Sequence, residues 1–199
     1  MVILEDNIEK YLENSYYINW KDEEIKKLAD KLKSDDEIET VSNIFHFVRD
    51  KIKHSYDTQD HRVTIRATDV LREGVGICWA KSNLFAALLR ACNIPSGICY
   101  QRLTLGYTPD TGYCIHALNA IFLSELDKWI RLDARGNKEG VCAEMSIDEE
   151  KLAFKVRPEY GEIDYKGVYA EPLEFTMEVL ENSSDVLETY LYNLPENSR

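Results

Sequence analysis

Cys78 differs from the other four cysteines in its surroundings: Gly74 and Gly76 lead into it, and an apolar helical pattern begins at it. The first-turn N–H groups of a helix lack intrahelical acceptors, and the helix dipole adds about half a positive charge there. A thiolate is therefore favoured over a thiol at such a position, and a cysteine with an ordinary pKa near 8.5 is expected to fall by one or more units, further beside an imidazolium. The flanking glycines let the backbone turn sharply and let a carbonyl approach the sulfur, and backbone N–H groups at Gly76 and Cys78 are candidates to hold an oxyanion. A thiol nucleophile needs a base. Of His46, His54, His61 and His116, only His116 sits within a strand pattern, the run YCIHALNAIFL, whereas His46 fits a helix side and His54 and His61 fit loops. Period-two alternation groups His116 with Leu118, Ala120 and Phe122 on an apolar face expected to pack on the Cys78 helix. The following strand pattern, KWIRLDARGN, places Asp133 where antiparallel pairing brings it near His116, and a carboxylate there fixes the imidazole tautomer.

The remaining thiols point to no other chemistry. Cys92, Cys99 and Cys114 fall on apolar stripes and read as inert, and Cys142 follows Asp133 at the expected cleft rim. An odd total with no C-x-x-C pair argues against a disulfide framework or structural zinc, so neither metal nor organic cofactor is expected. A formal charge of -12 makes nucleic acid an unsuitable partner, since an acidic surface repels phosphate. No apolar run approaches the roughly 20 residues that span a bilayer, and the N-terminus lacks a basic and then apolar leader, so no membrane association and a cytoplasmic location are expected.

The elements that must position these groups are legible as a change of period. Val2 to Leu12 and Ile25 to Leu32 recur at helical steps, and a helix through Val41, Ile44, Phe45, Val48 and Ile52 follows, with Thr40 and Ser42 as cap candidates. Cys78 to Asn93 is apolar over so wide an arc that it reads as a buried central helix, stopped by Asn93 and Pro95. Beyond Pro95, segments around Ile98 to Leu105, Cys114 to Leu123 and Lys128 to Asp133 read as an antiparallel meander, with turns at Thr108 to Gly112 and Ser124 to Asp127. Weak alternation near Ile163 to Tyr169 gives way to helical spacing from Leu173 to Leu194.

The stretch RATDVLREGVGICWAKSNLFAALLRACNIPSG, then CIHALNAIF, then KWIRLDARGN, resembles the transglutaminase-like superfamily. The resemblance implies an α+β, papain-like core: a helix carrying Cys78 as nucleophile against an antiparallel sheet carrying His116 as base and Asp133 as orienting acid. It covers about residues 40–140 of a single domain spanning 1–199, with a helical segment at 1–39 and an extension at 141–199. Trp129 matches the aromatic that precedes the acid. Larger members place an aromatic upstream of the cysteine that helps to stabilise the oxyanion, for which Tyr56 is the nearest candidate. Trp79, beside Cys78, either packs or lines the cleft.

The resemblance also implies acyl transfer through a thioester, to water in protease- or amidase-like members and to an amine in cross-linking members. The expected partner is a peptide or protein amide. The absence of a calcium-loop pattern and of added β-sandwich domains favours hydrolysis; amine transfer is the alternative. The residues after His116 depart from the commoner family pattern, which leaves open a catalytically silent peptide-binding module, with Tyr160, Tyr165, Tyr169, Tyr190 and Tyr192 packing over the core or forming a groove.

Overall fold

The computed structural model describes residues 1–106 and 108–196. In chain order the elements are β1 (Val2–Ile3), α1 (Glu23–Leu32), α2 (Glu37–Lys51), β2 (Lys53–His54), α3 (Ser55–Thr58), α4 (Ala67–Glu73), β3 (Val75–Gly76), α5 (Cys78–Ala91), β4 (Ser96–Thr104), β5 (Tyr113–Leu123), β6 (Lys128–Leu132), β7 (Ile163–Asp164), β8 (Gly167–Val168), α6 (Glu174–Glu181) and α7 (Val186–Tyr192). The fold is α+β, as expected. A four-stranded antiparallel sheet in the order β6-β5-β4-β7 lies against α5, and α1, α2 and α4 close around the helix from its other sides.

Helix α5 is buried from Cys78 to Arg90, so its polar side chains need partners within the protein. They find them in the carbonyls that neighbouring elements leave open. The Lys81 ammonium donates to Val48 O at 2.9 Å and to Ile52 O, answering the C-terminal end of α2. Arg90 donates to Ser96 O (3.1 and 2.8 Å), to Glu13 O (2.7 Å) and to Ala170 O, which ties both ends of the chain to the central helix. Burial, with Arg135 adding to it, lowers Lys81 to about 7.

Asn93 takes the left-handed conformation (φ 63°) anticipated for the helix stop, and both anticipated turns close the meander as short 3-10 segments. Two expectations are corrected. The Val2 to Leu12 stretch is not a helix: Asn7 caps a single 3-10 segment at Ile8–Leu12, and Val2–Ile3 pair with β8 instead. Helix α2 starts at Asp36, whose carboxylate accepts from Glu39 N, and not at Thr40 or Ser42; Thr40 lies inside the helix, where its hydroxyl reaches back to Asp36 O at 2.9 Å.

The alternation along β5 groups residues as expected, but the face that packs on α5 is the other one. Ile115, Ala117, Ile121 and Leu123 join the main core with the helix, and Asn119 donates to Ser82 O at 3.1 Å. Leu118 and Ala120 face a second, smaller cluster with Tyr11, Cys99 and Val168. Both faces of this central strand are apolar because both are covered, so polarity alone could not orient it.

The two glycines before Cys78 serve a turn and close packing in place of a substrate approach. Gly74 terminates α4 with φ +67°. At Gly76, an added Cβ would meet Thr64 Oγ1 at 2.9 Å, and that hydroxyl is itself committed to Val75 O at 3.0 Å. Gly76→Ala should therefore destabilise the chain by about 1–3 kcal/mol through overpacking, read as a fall in urea midpoint with an unchanged m-value, and Thr64→Ala in the same chain should restore part of the loss.

Candidate active site

The parallel ladder of β2 with β3, in which His54 lies opposite Gly76, ends at the N-terminus of α5. Ile77 is the N-cap and supplies no side-chain hydrogen bond, and the first turn holds no acidic residue. The positive end of the helix is thus left unneutralised at Cys78, a free thiol that is 8% exposed.

His116 enters from β5 and Asp133 from the end of β6. Nε2 of His116 is 2.8 Å from Asp133 Oδ2, both groups being nearly inaccessible to water. Asp133 also accepts the backbone N–H of Arg135 at Oδ1 (3.1 Å) and that of Ala153 at Oδ2 (3.2 Å). Three donors hold the carboxylate in one orientation and fix the proton on Nε2 of the ring. The Cys78 sulfur lies near enough to the ring to favour its charged form. Phe154 meets the imidazole edge to face at 5.1 Å. Burial alone would lower the His116 pKa; the Asp133 carboxylate and the Cys78 sulfur outweigh it and lift it to about 10. Burial likewise works to raise Asp133, and the charge and hydrogen bond of His116 with the two backbone donors hold it below the usual carboxylate range.

Cys78 and His116 open on a cavity of about 660 Å³. The loop after β6 is locked against α3 by Arg135, which grips Asp57 with both terminal nitrogens (2.5 and 2.9 Å), and by Lys138 on the same carboxylate at 2.8 Å. Burial pushes Asp57 up, but those cations prevail and hold it at about 2. The far rim comes from α7 and the segment that follows it: Tyr190 stacks on Tyr56 at 4.3 Å, and Leu191 and Leu194 complete the wall.

Cys78, His116 and Asp133 are therefore brought together, and Tyr56 and Trp79 line the cavity. Trp79 packs as well, since its indole N–H is given to Ile115 O at 2.9 Å. Two candidates are corrected. Gly76 faces Thr64 and lies outside the cavity wall. Trp129 packs edge-on to Tyr11 at 5.0 Å and against Phe122 at 5.6 Å, further along the sheet, and does not line the cavity. Burial pushes Cys99 and Cys114 up to about 12 and raises Cys92, which makes all three poor nucleophiles, although Cys114 does line the cavity. Of the five late tyrosines only Tyr190 reaches the cavity. The sequence reading missed Ala153 and Phe154, which close the site from the extension, and His54, which is buried in a strand pair instead of lying in a loop. Among the described residues no cluster of three or more His, Cys, Asp or Glu could hold a metal, and no helix is long and apolar enough to cross a membrane.

The sequence profile of the transglutaminase-like superfamily matches residues 26–134, a span that contains Cys78, His116 and Asp133. The chain belongs to that superfamily. Among solved structures it is similar to a candidate cysteine protease from Cytophaga hutchinsonii, with TM-score 0.53 and 23% identity over 66% of this chain and 43% of the other. It is also similar to the periplasmic domain of TgpA from Pseudomonas aeruginosa, with TM-score 0.47 and 18% identity over 62% of this chain and 45% of the other. The chain thus spans less than half the length of either neighbour. No curated protein matches its sequence.

Opposite shifts of two buried histidines give this superfamily member a testable signature. A base whose pKa is raised keeps its proton as pH climbs past 6.5, and one whose pKa is lowered has already lost it. Nitrogen-15 spectra of histidine-labelled protein should show His116 as imidazolium up to about pH 10 and His54 neutral from pH 6.5 upwards. Asp133→Asn should move the His116 transition to lower pH.

Proposed function

We propose that this transglutaminase-like chain is a thiol-dependent amide hydrolase. The reading is supported by the His116–Asp133 pair at 2.8 Å and by Cys78 at the positive end of α5, with Cys78 and His116 both on the wall of one cavity. The Cys78 sulfur attacks the amide carbonyl carbon, and the π electrons move onto oxygen. As the C–N bond breaks, His116 gives its proton to the leaving amine, and a thioester remains on Cys78. Water then attacks the thioester with His116 taking its proton, and collapse releases the carboxylic acid and the sulfur, restoring the starting pair. Asp133 keeps the ring oriented in both halves and stabilises its charged form.

Amine transfer uses the same acyl-enzyme and differs only in the second half.

Mass spectrometry of a glutamine-containing peptide, incubated with and without a primary amine, separates the outcomes. Deamidated or cleaved peptide should form in both incubations, and amide exchange alone would overturn hydrolysis. Cys78→Ala and prior alkylation by iodoacetamide should each abolish turnover while the protein stays folded, and turnover equal to wild type in the alanine variant would remove the enzymatic reading. Asp133→Asn should lower kcat by about 10²- to 10⁴-fold through the wrong tautomer.

A further inference from the structure

His54 is an imidazole on the cavity wall that the mechanism above does not use. It is 5% exposed, and its Nδ1 is enclosed with no hydrogen-bond partner among the described residues. The β2–β3 register places it opposite Gly76, two residues before Cys78. An enclosed nitrogen without an acceptor is costly to protonate, which decides which ring nitrogen carries the proton.

The tautomer follows from the enclosure. An orphaned N–H is less tolerable than an orphaned lone pair, so the single proton of the neutral ring belongs on Nε2, the nitrogen left to the cavity. Neutrality is enforced by surroundings: burial first, then the Arg135 guanidinium, with Lys81 and His116 adding to it and Asp57 opposing, hold His54 well below the ordinary histidine range. A neutral ring does not compete with His116 as a charged partner for the sulfur, yet it still offers one N–H.

We propose that His54 is the second donor of the oxyanion site, its Nε2–H and the backbone N–H of Cys78 together receiving the oxygen that becomes negative when the carbonyl is attacked. This rests on the acyl-transfer reading. Of the other candidates, the Trp79 indole N–H is already given to Ile115 O, and Gly76 lies outside the cavity wall. A donor with no ground-state partner favours the tetrahedral species over the substrate, which is the condition for raising kcat.

The test compares two reactions of the same sulfur. Acylation by p-nitrophenyl acetate passes through an oxyanion; alkylation by iodoacetamide does not. His54→Phe should lower the acylation kcat by about 10²- to 10³-fold with little change in KM, and His54→Gln, which keeps an N–H donor, should recover part of the loss. Alkylation of Cys78 should proceed at the wild-type rate in both variants. Wild-type acylation by His54→Phe would overturn the proposal, as would a glutamine variant no better than phenylalanine. A parallel fall in alkylation would also overturn it, because His54 would then act through the sulfur or the fold. A wild-type chain that releases p-nitrophenolate no faster than Cys78→Ala would overturn the acyl-transfer reading and this inference together.

Discussion

A proton on a buried imidazole survives only if an anion is held against it, and the pairing of His116 with Asp133 is the constraint around which this molecule is arranged. The carboxylate would itself be costly to bury, but it is met by three donors from three parts of the chain: the His116 ring, the amide of Arg135 and the amide of Ala153. Each donor lies on a different segment, so the charge pair exists only when β5, the loop after β6 and the extension are all in place.

The surrounding ion pairs secure those segments. Arg135 and Lys138 bind Asp57 and pin the loop after β6 to α3, which carries Tyr56 to the cavity wall. Arg131, from β6, grips Glu150 and Asp164 at 2.6–2.7 Å and so draws the extension across the sheet toward the position where Ala153 meets Asp133. Behind the site, Lys81 and Arg90 fasten α5 through open carbonyls, which leaves the N-terminus of α5 as the end of the helix that faces the cavity.

Two buried histidines on different sheets are driven in opposite directions by their neighbours. His116 faces a carboxylate and a sulfur and holds its proton; His54 faces Arg135 and the dry interior and does not. The same side-chain type thereby supplies a charged acid on one side of Cys78 and a neutral ring on the other, a division that composition cannot reveal.

Local patterns were sufficient for the skeleton. The wide apolar arc from Cys78, the Asn93 and Pro95 stop and the three strand runs are read from short windows, because helix and strand periods and turn residues act over a few residues. The order Cys78, His116, Asp133 was visible for the same reason, each at the start, middle or end of a strong local pattern. What the windows could not settle was which face of a doubly covered strand meets the helix, that Trp129 packs with Tyr11 and Phe122 outside the cavity, that Gly76 is closed off by Thr64, and that His54 is buried. The residues completing the site, Ala153, Phe154 and Tyr190, come from segments whose positions are set by contacts with residues far away in the chain. Periodicity determined the elements and the order of the reactive groups; tertiary packing alone decided which groups share a dry pocket, since burial and charge pairing depend on distance in space and not along the sequence.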